Sequence, residues 1–212
     1  ATGSRLWSIQ RTWVKRVLKG KSFTIIAPTG VGKTVFGMIM SLFLASKGKK
    51  AYIVEPTTPL VLQVYERLTS FAEKAGLNIQ IIAYHARLKP KTKSELLSKI
   101  SNGDFNILIT TSRFLTARFE VLRGKHFHFI FVDDVDAILK SSKNIDRILN
   151  LLGFSDDEIA DAYELVKLRN RIVKLISLDR KSPEIKELMK NYDKLVKRVG
   201  KIKGKTRSIL VV

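Results

Sequence analysis

The run Ala27-Pro28-Thr29-Gly30-Val31-Gly32-Lys33-Thr34 places two closely spaced glycines ahead of a lysine and a hydroxyl. That order of residue types suits a polyphosphate. Gly30 and Gly32 let the backbone N–H groups of the loop, including those of Thr29 and Val31, approach phosphate oxygens. Lys33 carries a point charge to the β- and γ-phosphates, and the Thr34 hydroxyl offers an oxygen to Mg²⁺. The first ligand to consider is a nucleoside triphosphate with Mg²⁺. A second cluster, Asp133-Asp134-Val135-Asp136, directly follows the apolar run Phe129-Ile130-Phe131-Val132. A carboxylate ending a strand opposite a phosphate loop holds Mg²⁺, usually through water, and Asp133 takes that role here. Asp134 is placed to orient or deprotonate an attacking water, so Lys33, Asp133 and Asp134 form the candidate catalytic set. Acidic residues also cap helices, and Asp136 suits that use equally.

These groups need elements to hold them. Phe23 to Ala27 is expected as the first strand, with Lys33 to Ser46 as a helix that starts inside the loop and aims its positive end at the ligand. The pattern continues with a helix over Trp7 to Leu18, a strand over Lys50 to Val54 and a helix from Pro59 to Ala75. A strand over Ile79 to Ala83, a helix over Lys91 to Ile100 and strands over Phe105 to Ile109 and Phe127 to Val132 follow. Strands that are apolar on both faces, alternating with helices, predict an α/β fold with a mostly parallel sheet covered by helices on both faces. Ligands of such sheets sit beyond the C-terminal strand ends. The loop, Pro56-Thr57 and Asp133-Asp134 all fall there.

The 212-residue chain has no cysteine, which excludes disulfides and thiolate metal sites. His126 and His128 share one face of a strand-like run, an arrangement more typical of packing than of metal binding. With 39 lysines and arginines against 19 acids, the formal net charge is +20. A balanced ion-pair surface does not require such a surplus, and it favours a polyanionic partner. No signal peptide or membrane-length apolar run is visible, so a soluble cytoplasmic protein with no membrane partner is expected. Residues 1–4 read as a remnant of cloning rather than native sequence.

The loop matches motif I of the superfamily 2 helicases, with Ala27 where the first glycine usually stands. Pro56-Thr57-Thr58-Pro59-Leu60-Val61-Leu62-Gln63 resembles motif Ia, and Thr110-Thr111-Ser112-Arg113-Phe114-Leu115 resembles motif Ib. The Asp133-Asp134-Val135-Asp136 box, the Ala-Pro-Thr-Gly-Val-Gly-Lys-Thr loop and Ile145-Asp146 together resemble the helicase-like module of the reverse gyrases. The resemblance implies a RecA-like P-loop domain over residues 5–154, acting in an ATP-driven topoisomerase that introduces positive supercoils. It implies that Gln10 reads adenine through its amide. It implies a backbone-contacting DNA track that includes Pro56, Thr57, Gln63, Thr111 and Arg113. Asp134 is one methylene shorter than the glutamate usual in the family, so it would position water with a different geometry.

Residues 155–206 exceed the minimal domain. Asp156-Asp157-Glu158 suits the positive end of a helix running to Ile176, and Pro183 suits the first turn of another running through Val199. This predicts a basic helical-hairpin insertion, followed by a final core strand over 207–212. Lys197, Arg198, Lys201 and Lys203 give its end a charge that fits DNA contact or a solvated face. A second RecA-like domain and a topoisomerase domain are the expected partners within the parent chain. The 212 residues then read as an excised first motor domain, weakly active or inactive alone. A general DNA or RNA helicase domain, or a nucleotide-sensing nucleic-acid-binding module without turnover, are the alternative readings.

Overall fold

The computed structural model describes residues 7–139, 141–178, 183–202 and 208–212. Residues 1–4, Lys203 and Arg207, all within segments named above, lie outside the described residues. The chain divides into two compact units, Ala1–Leu152 with Arg207–Val212 and Gly153–Thr206.

The first unit is built on five parallel strands. They are β1 (Ala51–Glu55), β2 (Ile81–Tyr84), β3 (Ile107–Thr111), β4 (Phe129–Val132) and β5 (Ile209–Val211), in the order β2-β3-β1-β4-β5. Around them run α1 (Ser8–Leu18), α2 (Lys33–Ala45), α3 (Thr58–Lys74), α4 (Pro90–Asn102), α5 (Ser112–Ala117), α6 (Val135–Leu139) and α7 (Ser142–Leu151). Alternation along the strands sends Ala51, Ile53, Ile107, Ile109, Phe129 and Phe131 to one face. There they pack with Phe36 and Met40 of α2 and with Val64 and Leu68 of α3. On the opposite face Tyr52 lies against Phe127 and Tyr84 against Phe114 of α5, with ring centroids 5.2 and 4.7 Å apart. Tyr52 also shares a 2.7 Å hydrogen bond with Thr110, which satisfies its buried hydroxyl.

One expected strand differs. Phe23 to Ala27 does not form a full strand; it makes a single parallel bridge, Phe23 to Val211. The Phe23 N–H donates to Leu210 O at 3.0 Å and the Ile25 N–H to Val212 O at 2.7 Å. Its neighbour β5 covers only three residues, so the segment lies extended along it without a ladder long enough to count as a strand. The other strands shift by one or two residues from their expected bounds. The helices α5 and α6 are too short to show a period, whereas the ten residues of α7 do carry an amphipathic pattern that the expectation left out.

The second unit is a hairpin of α8 (Asp156–Leu178) and α9 (Pro183–Ile202). Ser155 and Glu158 form a reciprocal capping box at the start of α8: Ser155 N–H donates to Glu158 Oε2 at 3.0 Å, and Glu158 N–H to Ser155 Oγ at 3.2 Å. Leu168, Ile172 and Leu188 form its apolar seam with Leu175, Tyr192 and Leu195 packed alongside. Arg171 pairs with Glu184, and Arg198 pairs with Asp161 at 2.7 Å, so both ion pairs tie one helix to the other.

Gly37 sets how closely α2 approaches the sheet. A Cβ there would lie 2.4 Å from Phe131 Cδ1. Phe131 is 1% exposed and has no room to withdraw. Gly37→Ala is therefore expected to destabilise the first unit by about 1–3 kcal/mol, the usual cost of overpacking. Trimming the ring in a Phe131→Leu background should relieve part of that cost. A double-mutant cycle by chemical denaturation reads the coupling.

Candidate functional site

The loop between Ala27 and Thr34 stands at the C-terminal edge of the sheet and runs into α2. Gly30 and Gly32 adopt φ of 84° and 85°, a region open to glycine and strained for other residues. Gly32 is the N-cap of α2, so the helix begins with free backbone donors facing the loop. The Lys33 ammonium donates to Ala27 O at 2.8 Å, folded back on its own loop. A cavity of about 480 Å³ opens over the loop, lined by Thr29, Gly30, Gly32, Lys33, Thr34, Val35, Arg67 and Asp133. That volume lies within the range of nucleotide-sized ligand sites.

The acidic box meets the loop directly. Thr34 Oγ1 donates to Asp133 Oδ2 at 2.8 Å, joining residues 99 positions apart. Burial raises the Asp133 pKa; the Thr34 hydrogen bond and the Lys33 charge pull it down, and Asp134 pushes it up again. A hydroxyl and a carboxylate set side by side beneath a lysine are all-oxygen donors of the kind Mg²⁺ takes. Asp134 lies differently. It lines a neighbouring cavity of about 280 Å³ together with Lys33 and Asp133. Its Oδ1 accepts the Asp136 N–H at 3.0 Å, an Asx-type bond at the start of α6. Capping, weighed above for Asp136, thus falls to Asp134.

Gln10 reaches the loop from α1. Its Nε2 donates to Val31 O at 2.9 Å, and its Oε1 accepts the Trp7 N–H at 3.1 Å. A Cβ on Gly32 would come within 2.8 Å of that Nε2. The amide is thus fixed against the loop, with one N–H and one lone pair left for a base.

Motifs Ia and Ib end neighbouring strands. Glu55 of β1 pairs in register with Thr111 of β3, so Pro56-Thr57 and Thr111 emerge side by side. Thr57 precedes α3 as its N-cap residue, and the Thr111 hydroxyl caps α5 by accepting the Phe114 N–H at 3.4 Å. Thr57, Gln63 and Arg113 are exposed. In the other unit Lys197, Arg198 and Lys201 are exposed on α9, with Arg198 partly neutralised by Asp161. His126 and His128 do meet, 4.5 Å between ring centroids, and His128 Nδ1 accepts the Lys50 N–H at 3.3 Å. Among the described residues no group of three or more histidine, cysteine or acidic side chains is arranged for a metal.

Glu55 went unnoticed in the sequence. Register places it beside Asp133, one position past the Val54–Val132 pair. It is 0% exposed, and neither carboxylate oxygen has a hydrogen-bond partner. Desolvation, reinforced by the charge of Asp133, pushes its pKa from an ordinary 4.5 up to about 8. The available signal was an acid ending a strand whose other residues, Ala51-Tyr52-Ile53-Val54, are all buried.

This burial has a pH signature. Unfolded, Glu55 loses its proton near 4.5; folded, it keeps it to about 8. Between those values the folded state binds the extra proton, so stability falls as pH rises and levels off above the folded pKa. The penalty is on the order of a few kcal/mol. Glu55→Gln should flatten that decline and be the more stable protein at pH 8.5. Denaturation midpoints from pH 4.5 to 8.5, without nucleotide, check it.

Comparison with known proteins agrees with this architecture. A family model for the DEAD/DEAH box helicases matches residues 7–163. Reverse gyrase of Pyrococcus horikoshii is 56% identical over 83% of the chain, which covers 11% of that protein. Reverse gyrase of Methanocaldococcus jannaschii is 50% identical over 95% of the chain and 12% of that protein. The chain thus spans about a tenth of these relatives. Among solved structures, the DUF1998 helicase MrfA superposes with a TM-score of 0.59 at 20% identity, covering 71% of this chain and 25% of that one. A hypothetical ATP-dependent RNA helicase from Sulfolobus tokodaii gives 0.54 at 14% identity, covering 99% and 78%. These two likenesses establish the fold, α/β and RecA-like. The identities to the relatives go further: the chain belongs to the reverse gyrase family and forms part of its helicase-like region.

Proposed function

We propose that this chain binds ATP or ADP with Mg²⁺ and serves as the ATP-binding motor segment of an enzyme that uses ATP to introduce positive supercoils into DNA. The single observation that carries the reading is the Thr34–Asp133 contact of 2.8 Å, which joins loop and acidic box at one point. The loop amides and Lys33 would hold the phosphates. Thr34 directly, and Asp133 through water, would hold Mg²⁺, which neutralises charge on the terminal phosphates when bound. Gln10 would present its remaining donor and acceptor to adenine. Asp134, fixed by its bond to the Asp136 N–H, would orient an attacking water and take its proton.

The family of the relatives favours this reading over an ordinary superfamily 2 helicase. DNA would run along the edge where Pro56, Thr57, Gln63, Thr111 and Arg113 gather, held by sugar-phosphate contacts without base readout. Lys197, Arg198 and Lys201 on α9 would add charge. A second RecA-like domain and a topoisomerase domain of the parent would supply what turnover and strand passage still need, so the isolated chain is expected to hydrolyse ATP slowly. Among the described residues no helix is long and apolar enough to cross a membrane.

Two tests follow. Lys33→Ala should lose roughly 2–4 kcal/mol of ADP affinity, the cost of deleting one partner of a desolvated charge pair. Asp134→Asn should bind almost normally yet abolish turnover in the full-length parent. Calorimetry and a steady-state ATPase assay read the two, and normal hydrolysis by Asp134→Asn would remove it from the catalytic set. For DNA, log affinity should fall linearly with log salt, with about 0.7 slope units lost per single-strand phosphate contact removed. Replacing Lys197 and Lys201 with glutamine should lower that slope; an unchanged slope returns α9 to a solvated face.

A further inference from the structure

We infer that Arg67 is a nucleotide-binding residue that contacts the terminal phosphate of a triphosphate seated in the loop. The inference rests on the nucleotide reading above. Arg67 belongs to α3, an element the phosphate loop does not touch in sequence, yet its side chain lines the same cavity as Lys33, Thr34 and Asp133. Among the described residues no hydrogen bond or ion pair engages its guanidinium. It is left unpaired although a carboxylate, Asp133, lines the cavity with it.

The charge balance of the cavity fits an anion. Its lining holds two cations, Lys33 and Arg67, against the single acid Asp133, and a metal ion on Asp133 would cancel that acid. The arginine is also set on a rigid base. Val61, Val64 and Leu68 of α3 are 0%, 1% and 0% exposed, so the backbone that carries Arg67 cannot easily move away. A planar guanidinium offers paired N–H donors that match two phosphate oxygens.

The terminal phosphate follows from where the metal would sit. The Thr34 hydroxyl and the Asp133 carboxylate, 2.8 Å apart, would hold magnesium there, where it would neutralise charge on the terminal phosphates of a bound triphosphate. Arg67 lines the same cavity from α3, across from a loop and Lys33 that would take up the other phosphate oxygens, which leaves the terminal phosphate to the guanidinium. The same helix begins directly after Pro56-Thr57, so a contact at Arg67 ties the helix of the proposed DNA track to the presence of the third phosphate.

The test is calorimetric titration of the intact chain with Mg²⁺ and either ADP or a non-hydrolysable ATP analogue, for the wild type, Arg67→Gln and Lys33→Ala. Arg67 is exposed, so Arg67→Gln should keep the nucleotide-free melting temperature. It should weaken the triphosphate analogue about tenfold or more, as for a lost hydrogen bond to a charged group, and leave ADP nearly unchanged. An unchanged triphosphate affinity, or an equal loss with ADP, overturns the assignment. Lys33→Ala separates the two levels of the argument. If it weakens both nucleotides while Arg67→Gln weakens neither, only the Arg67 inference falls. If Lys33→Ala weakens neither, the nucleotide reading falls and takes Arg67 with it.

Discussion

Parallel pairing is the constraint on which everything else in the first unit depends. A parallel sheet delivers the C-terminal end of every strand to one edge, because each strand returns through a helix. Here that edge collects the end of β1 with Glu55, the end of β3 with Thr111 and the end of β4 with Asp133. The extended segment through Phe23 and Ile25 pairs with β5 in the same sense and brings the phosphate loop to the same edge. Thr34 and Asp133, far apart along the chain, become hydrogen-bonded neighbours for this reason alone.

Packing then decides the details. Because side chains alternate along a strand, the face that buries Phe129 and Phe131 under α2 is also the face on which Asp133 emerges. The near-contact of Gly37 with the Phe131 ring presses α2 onto β4, and that closeness lets Thr34, at the start of α2, reach the carboxylate. The same alternation buries Glu55 beside Asp133. Burial raises both pKa values; the charge of Asp133 pushes Glu55 up further, and Asp134 does the same to Asp133. Lys33 relieves Asp133 only in part, since its amine is also held by Ala27 O.

The hairpin of α8 and α9 follows a different logic. Its seam is small, built around Leu168, Ile172 and Leu188, and the helices are cross-linked by Arg171–Glu184 and Arg198–Asp161. Exposed ion pairs of this kind contribute little each. They engage Arg171 and Arg198 within the hairpin, while Arg169 of α8 and Lys197 and Lys201 of α9 are exposed.

Much of this was legible in the chain itself, for physical reasons that differ from residue to residue. The phosphate loop needs only eight contiguous residues, so its chemistry is local and visible. The strands through Ile53, Ile109 and Phe131 could be read because parallel strands buried on both faces are apolar throughout. The acidic box could be placed because it follows such a strand. Tertiary structure alone decided the rest. It reduced Phe23 to Ala27 to a single bridge, since pairing depends on a partner nearly two hundred residues away. It buried Glu55 against Asp133 and brought Arg67 to the loop, because strand register and helix packing decide which distant side chains share one space, and no local pattern of residue types records that choice.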